Sequence, residues 1–411
     1  MSAAAMDGAT GSAVIAGGGP AGLMLGLLLA RTGVEVTVLE KHADFLRDFR
    51  GDTIHPSTLD VIAELGLLDE FLKLPHQKVY QLHANVMGTS VPLADFSHVP
   101  TRCKFLVLMP QWDFLDFLAD QARLLPNFRL FMRHEVTALR RGAGRITGVT
   151  ARSPAGAVDF DADLVFAADG RHSLVRREAA LPLLDVGAPI DVLWFSLPRN
   201  ADDRGETGGY MWPGLFFVTI DRGDYWQCAF VIPKGTGEAV RTTGLPGLRA
   251  QLSERIPFMR DNLATLTDPD QLKLLEVQVN RLQRWHAPGL LCIGDAAHAM
   301  SPVGGVGINL AIQDAVAAAR MLAAPLRVRR FTEADLEAVQ RRREWPTRVT
   351  QRAQVLIHER VINAVLDSSA QALKPGALPL PLRLMQRFPR LRGIPARLVG
   401  VGVRAEHIDH A

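Results

Sequence analysis

Three clusters of residues suited to phosphate and sugar chemistry lie far apart in the chain: Gly17-Gly18-Gly19-Pro20-Ala21-Gly22, Asp169-Gly170, and Gly294-Asp295 with Pro302 to Leu310. In the first, the spacing G-x-G-x-x-G follows a short apolar run, Ser12 to Ala16, and opens a helical pattern, Pro20 to Thr32. Gly17 permits a tight turn, Gly19 lets backbone approach a pyrophosphate, and Gly22 lets helix pack on strand. The phosphates then meet free N–H groups at the positive end of a helix. A second strand pattern, Glu35 to Leu39, ends at Glu40, where such a unit holds a carboxylate against an adenosine ribose. The chemistry indicated is dinucleotide binding.

Elements that repeat this design must bring the other clusters to the same place. Asp163 to Ala168 is a short apolar strand ending at Asp169, and Leu290 to Ile293 is another before Gly294-Asp295. Asp295 sits on a strand-to-loop corner where its carboxylate can accept hydrogen bonds from hydroxyls or cap the next turn. The glycines at 304, 305 and 307 leave bare backbone at the start of an Ala-rich helix, Gly307 to Ala324, which contains Asn309. Helical patterns also cover roughly 56–67, 112–122 and 331–366. Phe128 to Arg133 and Val136 to Arg140 are strand-like. Segments 78–95 and 190–233 alternate apolar and polar residues between turns, as antiparallel strands do, so a second sheet interrupts the nucleotide-binding part.

Composition narrows the class further. Of 411 residues, 48% are hydrophobic and 22% charged, which supports a large core and excludes general disorder. A net charge of +3 gives no strong field for nucleic acid, so none is expected as a partner. The three cysteines, Cys103, Cys228 and Cys292, have neither zinc nor disulfide-framework spacing, so no metal site is expected and a reducing cytoplasm fits. The uncharged stretch from Gly8 to Ala30 follows the nucleotide-loop pattern, with seven glycines and a proline, and is read as buried strand, loop and helix. No transmembrane segment is expected. Seven basic residues and no acid lie between Lys374 and Arg404. That tail fits an anionic membrane surface or a place over the core with its arginines solvated. Its prolines favour the second.

The motifs together resemble the group A flavoprotein aromatic hydroxylases, the family typified by para-hydroxybenzoate hydroxylase, over nearly the whole chain. The family pattern D-G-x-x-S-x-x-R is met by Asp169-Gly170-Arg171-His172-Ser173-Leu174-Val175-Arg176, and G-D-A-A-H followed by P-x-x-G-x-G-x-N by residues 294–298 and 302–309. The resemblance implies an α/β fold. A Rossmann-like FAD-binding domain (1–75, 101–182 and 285–345) is interleaved with a mainly antiparallel β-sheet substrate domain (76–100 and 183–284), and 346–411 form C-terminal helices and a tail. It implies FAD as cofactor, held by residues 17–22, Glu40, Lys41, Arg50, Gln111, Val136, Asp169, Asp295, Gly305, Gly307, Ile308 and Asn309. Arg50 lies where the flavin ring moves between positions, and Pro302 sits above the ring; both are candidates for the chemistry. The glycine-bordered helix start would stabilise negative charge on reduced flavin. His172 and His298 sit inside cofactor motifs, where a packing or hydrogen-bonding role is sufficient explanation.

The activity implied is monooxygenation: NAD(P)H reduces FAD transiently, O₂ forms a C4a-hydroperoxide, and an electron-rich aromatic substrate takes its distal oxygen. The substrate pocket is expected between flavin and second sheet, with Trp194, Met211, Trp212, Phe217, Tyr225 and Trp226 as candidate contacts, although aromatics at strand alternation also serve as sheet core. No arginine is evident for a benzoate carboxylate, which favours a larger, less charged aromatic. A homodimer is left open. A halogenase on the same fold would carry W-x-W-x-I-P, which no pair of tryptophans here matches. An oxidase or dehydrogenase of the amino-acid oxidase type would use chiefly the first motif. A flavin-binding module without turnover is the non-enzymatic alternative.

Overall fold

The computed structural model describes residues 10–46, 53–200, 202–203, 207–367 and 380–408. At its centre is a six-stranded sheet in the order His286–Ala287, Leu290–Cys292, Leu164–Ala167, Ser12–Ala16, Glu35–Leu39, Phe128–Phe131. All neighbours run parallel except the short first strand. These strands are near-continuous apolar runs because helices cover both faces of a parallel sheet. The helix Pro20–Arg31 packs on Gly307–Arg327 and on Gln111–Arg123. Small residues allow the close approach, since a Cβ on Gly26 would stand 2.9 Å from the Phe128 ring.

The second sheet has seven strands: Lys273–Leu275, Ile190–Pro198, Tyr225–Pro233, Leu215–Asp221, Gly208–Trp212, Gln81–Val86 and Thr89–Asp95. It is antiparallel except where Gly208–Trp212 meets Gln81–Val86. Period-two alternation sends Leu193, Phe195, Phe217, Trp226 and Cys228 to one face, beneath the helices Leu245–Arg255 and Arg260–Leu263. Val192, Trp194, Phe216, Val218, Ala229 and Val231 take the other, against Val303, Ile362 and Leu366.

The long helix Glu333–Ile357 begins at a capping box between Thr332 and Asp335, widens into one π-helical turn at His358–Ile362, and ends at Asn363–Leu366. Beyond it, the helices Leu380–Arg387 and Gly393–Gly400 lie over the strand Thr89–Asp95, and Gly400 is close enough to Phe96 that a Cβ would reach its ring at 3.0 Å. The helix Gly307–Arg327, with the turn before it, is long and apolar enough to cross a membrane by length and composition, but most of it is buried in the core.

Candidate active site

Four adjacent parallel strands deliver the motifs to one edge. Gly17, Glu40, Asp169 and Gly294 each lie just beyond the carboxyl end of a strand, and Ser12–Ala16 is the strand from which the chain crosses in both directions. Ligands of open α/β sheets bind at such a switch point. Backbone hydrogen bonds knit the ends together: Gly17 N–H donates to Leu39 O at 2.8 Å, Ala168 N–H to Ala16 O at 2.8 Å, and Ile293 N–H to Ala167 O at 2.9 Å.

Steric tests separate glycines that pack from glycines that leave room. A Cβ on Gly17 would stand 2.4 Å from Ala168 O, and φ is +105° there; one on Gly22 would stand 2.0 Å from Gly17 O. Both positions need glycine for closure of strand on helix. A Cβ on Gly19 or Gly307 would meet no atom within 4 Å, so these backbones border open space. Each glycine adjoins a helix start whose first turn carries no acid. Two bare, positively polarised helix starts at one sheet edge fit a pyrophosphate and an anionic ring system, and therefore FAD.

The carboxylates divide into builders and presenters. Glu40 Oε2 accepts from Gly18 N–H at 3.0 Å and Oε1 from His42 N–H at 3.0 Å, which holds the carboxylate beside the glycine turn. Lys41 next to it is exposed. Asp169 is half-buried; its Oδ2 accepts from Leu174 N–H (2.8 Å) and Val175 N–H (3.2 Å), capping the short helix Leu174–Glu178. Burial raises its carboxyl above the ordinary range, although hydrogen bonds from Ser173 and the helix start offset part of this. Asp295 is half-buried, with Arg171 Nη2 3.4 Å from its Oδ2. Gln111 begins the helix Gln111–Arg123, and Val136 is half-buried at the rim of the nucleotide-domain core. Arg50 lies outside the described residues.

Behind Pro302 to Asn309 stands a layer of buried polar groups to which the sequence reading assigned no role. His55 Nε2 donates to Gly305 O at 3.0 Å; burial depresses its pKa to about 4, so the ring is neutral. The hydroxyls of Ser57 and Thr58 both reach Asn309 Oδ1 at 2.8 Å, so Asn309, carried over as a cofactor ligand, also ties this helix to Pro56–Glu64. Gln354 donates from Nε2 to Ser301 O and Val303 O (both 2.9 Å) and accepts from Ser301 N–H at 3.2 Å. Gln351 donates to Asn280 O and Ala299 O, Gln340 to Gln283 O, and His358 Nε2 lies 2.8 Å from Ser301 Oγ. One face of the long helix thus grips the backbone that carries the third motif. The clue in the sequence was polar spacing at 340, 343, 347, 351, 354 and 358, three and four apart on a single helical stripe.

A buried ion network anchors the same motif. Asp314 accepts from Gly294 N–H (3.0 Å), His298 Nε2 (2.5 Å) and Arg343 Nε (3.0 Å). Burial would raise its carboxyl, but His298 and Arg343 together hold it below the ordinary range. Arg343 continues to Glu406 at 3.3 Å, which Arg342 grips at 2.7 and 3.0 Å. His298 is therefore a structural partner of Asp314, while His172 is exposed.

The aromatic candidates are split by the faces of the second sheet. Trp194 shares with Phe216, Val218, Ala229 and Val231 the face that meets Val303, one residue past Pro302. Met211 follows on the same face, paired with Phe216 and Val86. Tyr225 has the right parity but stands at the outer strand end, opposite Pro198. Trp212, Phe217 and Trp226 correct the expectation: alternation turns them to the opposite face, where they pack under the helices of 245–263. Phe216, which was passed over, occupies the place expected for Phe217.

A description of the FAD binding domain family matches residues 10–353. The chain is 31% identical over 401 residues to the 6-methylpretetramide 4-monooxygenase of Streptomyces rimosus, covering 95% of this chain and 93% of that one. It is 30% identical over 323 residues to the 12-dehydrotetracycline 5-monooxygenase/anhydrotetracycline 6-monooxygenase of the same species, covering 74% of this chain and 60% of that relative. The crystal structure of an anhydrotetracycline hydroxylase from Streptomyces rimosus superposes with a TM-score of 0.73 at 24% identity, covering 97% of this chain and 78% of that one. The chain belongs to the group A flavoprotein monooxygenase family. It is an FAD-dependent monooxygenase of aromatic substrates.

Proposed function

We propose that this enzyme hydroxylates a fused-ring phenolic substrate, with NAD(P)H as electron donor, and that it works in the cytoplasm. The observation that carries the substrate class is the inner face of the second sheet, where Trp194, Met211, Phe216 and Val218 are only half-buried beside the buried Ala229 and Val231, opposite Val303. A flat, wide ring system buries more area there than a single benzoate, and none of these six side chains would read a carboxylate. Relatives named for 6-methylpretetramide and anhydrotetracycline support the same size class.

Residues of this chain take distinct roles in the proposal. Gly17 to Gly22 receive the pyrophosphate, with Glu40 turned to the adenosine ribose and Asp295 to the ribityl hydroxyls. Gln111, Val136 and Lys41 border the cofactor, and Asp169 shapes the pyrophosphate side through its helix cap. Bound FAD supplies the activation of O₂. The N–H groups at Gly307 and Ile308, at the helix start that Gly305 leads into, favour negative charge at the ring edge, and Pro302 closes the ring face. Arg50 is assigned its cofactor contact by the family resemblance alone. Packing of Val303 against the second sheet excludes water where oxygen is transferred.

A panel of phenols from one to four rings tests the reading, scored for stimulated NADPH and NADH oxidation and for one oxygen atom gained by mass spectrometry. Fused-ring phenols should stimulate most. Stimulation restricted to single-ring benzoates, or oxidation without oxygen gain for every aromatic, would contradict it.

A further inference from the structure

The basic tail singled out in the sequence has no part in the site, yet its surface has a regular construction. The helix Leu380–Arg387 and the turn after it expose Leu384 and Phe388, four residues apart, at 41% and 52%. The helix Gly393–Gly400 exposes Ile394 and Leu398, again four apart, at 67% and 44%. Each apolar pair therefore forms a stripe on its helix. The α-helical hydrogen bond from Phe388 N–H to Leu384 O, 2.8 Å, keeps the first stripe in register. The inward side of the first helix is already used, with Leu382 packed against the Met211 and Val86 cluster, so the outward stripe is additional apolar surface.

Arginines flank both stripes. Arg383, Arg387, Arg390 and Arg397 are exposed, and none forms an ion pair with another described residue. Arg392 is committed to the carbonyl oxygens of Met385 (2.9 Å) and Gln386 (3.3 Å), closing the turn between the helices. Residues 380–404 hold six arginines and no acid, whereas the whole chain is only +3, so the remainder is net negative. Such a charge distribution favours this face over the average of the remaining surface where the molecule meets an anionic surface.

We propose that the 380–398 surface docks the enzyme on an anionic lipid bilayer, with Leu384, Phe388, Ile394 and Leu398 entering the headgroup boundary and the arginines pairing with lipid phosphates. Side chains this exposed project outward, and a fluid lipid surface can close around them. Binding by basic charge plus a few apolar side chains is reversible, and each arginine near an anionic leaflet adds a modest increment.

The test is co-sedimentation of the FAD-loaded full chain with phosphatidylcholine vesicles with and without phosphatidylglycerol. Binding should appear with phosphatidylglycerol and weaken with salt. It should fall at least about tenfold for the triple variant Arg383→Glu, Arg387→Glu, Arg390→Glu. Phe388→Ser with Ile394→Ser should also weaken it at unchanged charge, while FAD content and thermal midpoint stay as in the parent. No binding to phosphatidylglycerol vesicles at low salt overturns the proposal, as does binding unaffected by either variant. Retention on immobilised polyglutamate without vesicle binding would assign the surface to an acidic protein, and overturns it equally.

Discussion

The carboxyl edge of the parallel sheet and the inner face of the antiparallel sheet, proposed as the cofactor and substrate sides of one site, are made by different physics. At the edge, backbone does the work: glycines at φ values or approaches that exclude side chains, N–H groups at helix starts, and carboxylates fixed by those N–H groups. On the inner face, side chains do the work, and strand parity together with position along the strand selects which ones line it. The edge leaves no room for side chains at Gly17 and Gly22 and is the proposed cofactor side. The inner face is built of side chains and is the proposed substrate side.

That contrast can be broken first at the buried charges behind the edge. Asp314→Ala leaves Arg343 and His298 buried without their shared acceptor and should cost about 3–5 kcal/mol of stability, read by urea unfolding. Because the Asp314 carboxyl titrates below the ordinary range, its contribution should persist through mild acid and vanish only as pH falls through that depressed value. Trp226→Ala, on the helix-covered face of the second sheet, should cost about 3–5 kcal/mol by opening a cavity while leaving the substrate preference of the folded fraction unchanged. Trp194→Ala, one strand away on the other face, should do the reverse, raising KM with a much smaller loss of stability. If both variants alter KM equally, the division of the faces is wrong.

Acid should reach the edge through His55. Its folded pKa of about 4 lies below the ordinary 6.5, so the unfolded chain binds the extra proton. Stability is full above about pH 6.5 and falls as pH drops to about 4, by up to roughly 3 kcal/mol. His55→Gln, which keeps a donor for Gly305 O, should flatten part of that slope in unfolding curves taken at pH 7 and pH 5. The smallest expected effect is Gln354→Leu, which strands backbone groups of Ser301 and Val303 and should cost about 1–3 kcal/mol. Its more specific readout is looser coupling of NADPH oxidation to oxygen transfer, because Pro302 lies between the two residues it holds.

The edge was legible because its information is local. Glycine spacing, a helix start and a strand-end carboxylate sit within a few residues of one another, and the strands 12–16 and 35–39 lie where the apolar runs put them. Asp169 and Asp295 were legible as motif residues, but their partners Leu174 and Arg171 were not. The inner face was half legible. Alternation marked strands over 190–233, yet it does not say which of Phe216 and Phe217 takes the face that meets Val303, since the choice lies in packing against distant helices. The glutamine stripe on 340–358 went unassigned because amide side chains on a helix look solvent-facing until the backbone they grip is in place.

The central claim is that bare backbone at the carboxyl edge holds FAD, and the most direct measurement is calorimetric titration of the cofactor-stripped chain with FAD, beside Gly19→Asp. A Cβ at Gly19 meets nothing in the protein, so the variant should fold as the parent does. Its carboxylate would face the pyrophosphate and should weaken FAD binding by about two orders of magnitude, about 2.7 kcal/mol. Equal affinity in the two proteins, with one FAD bound to each, would contradict the account.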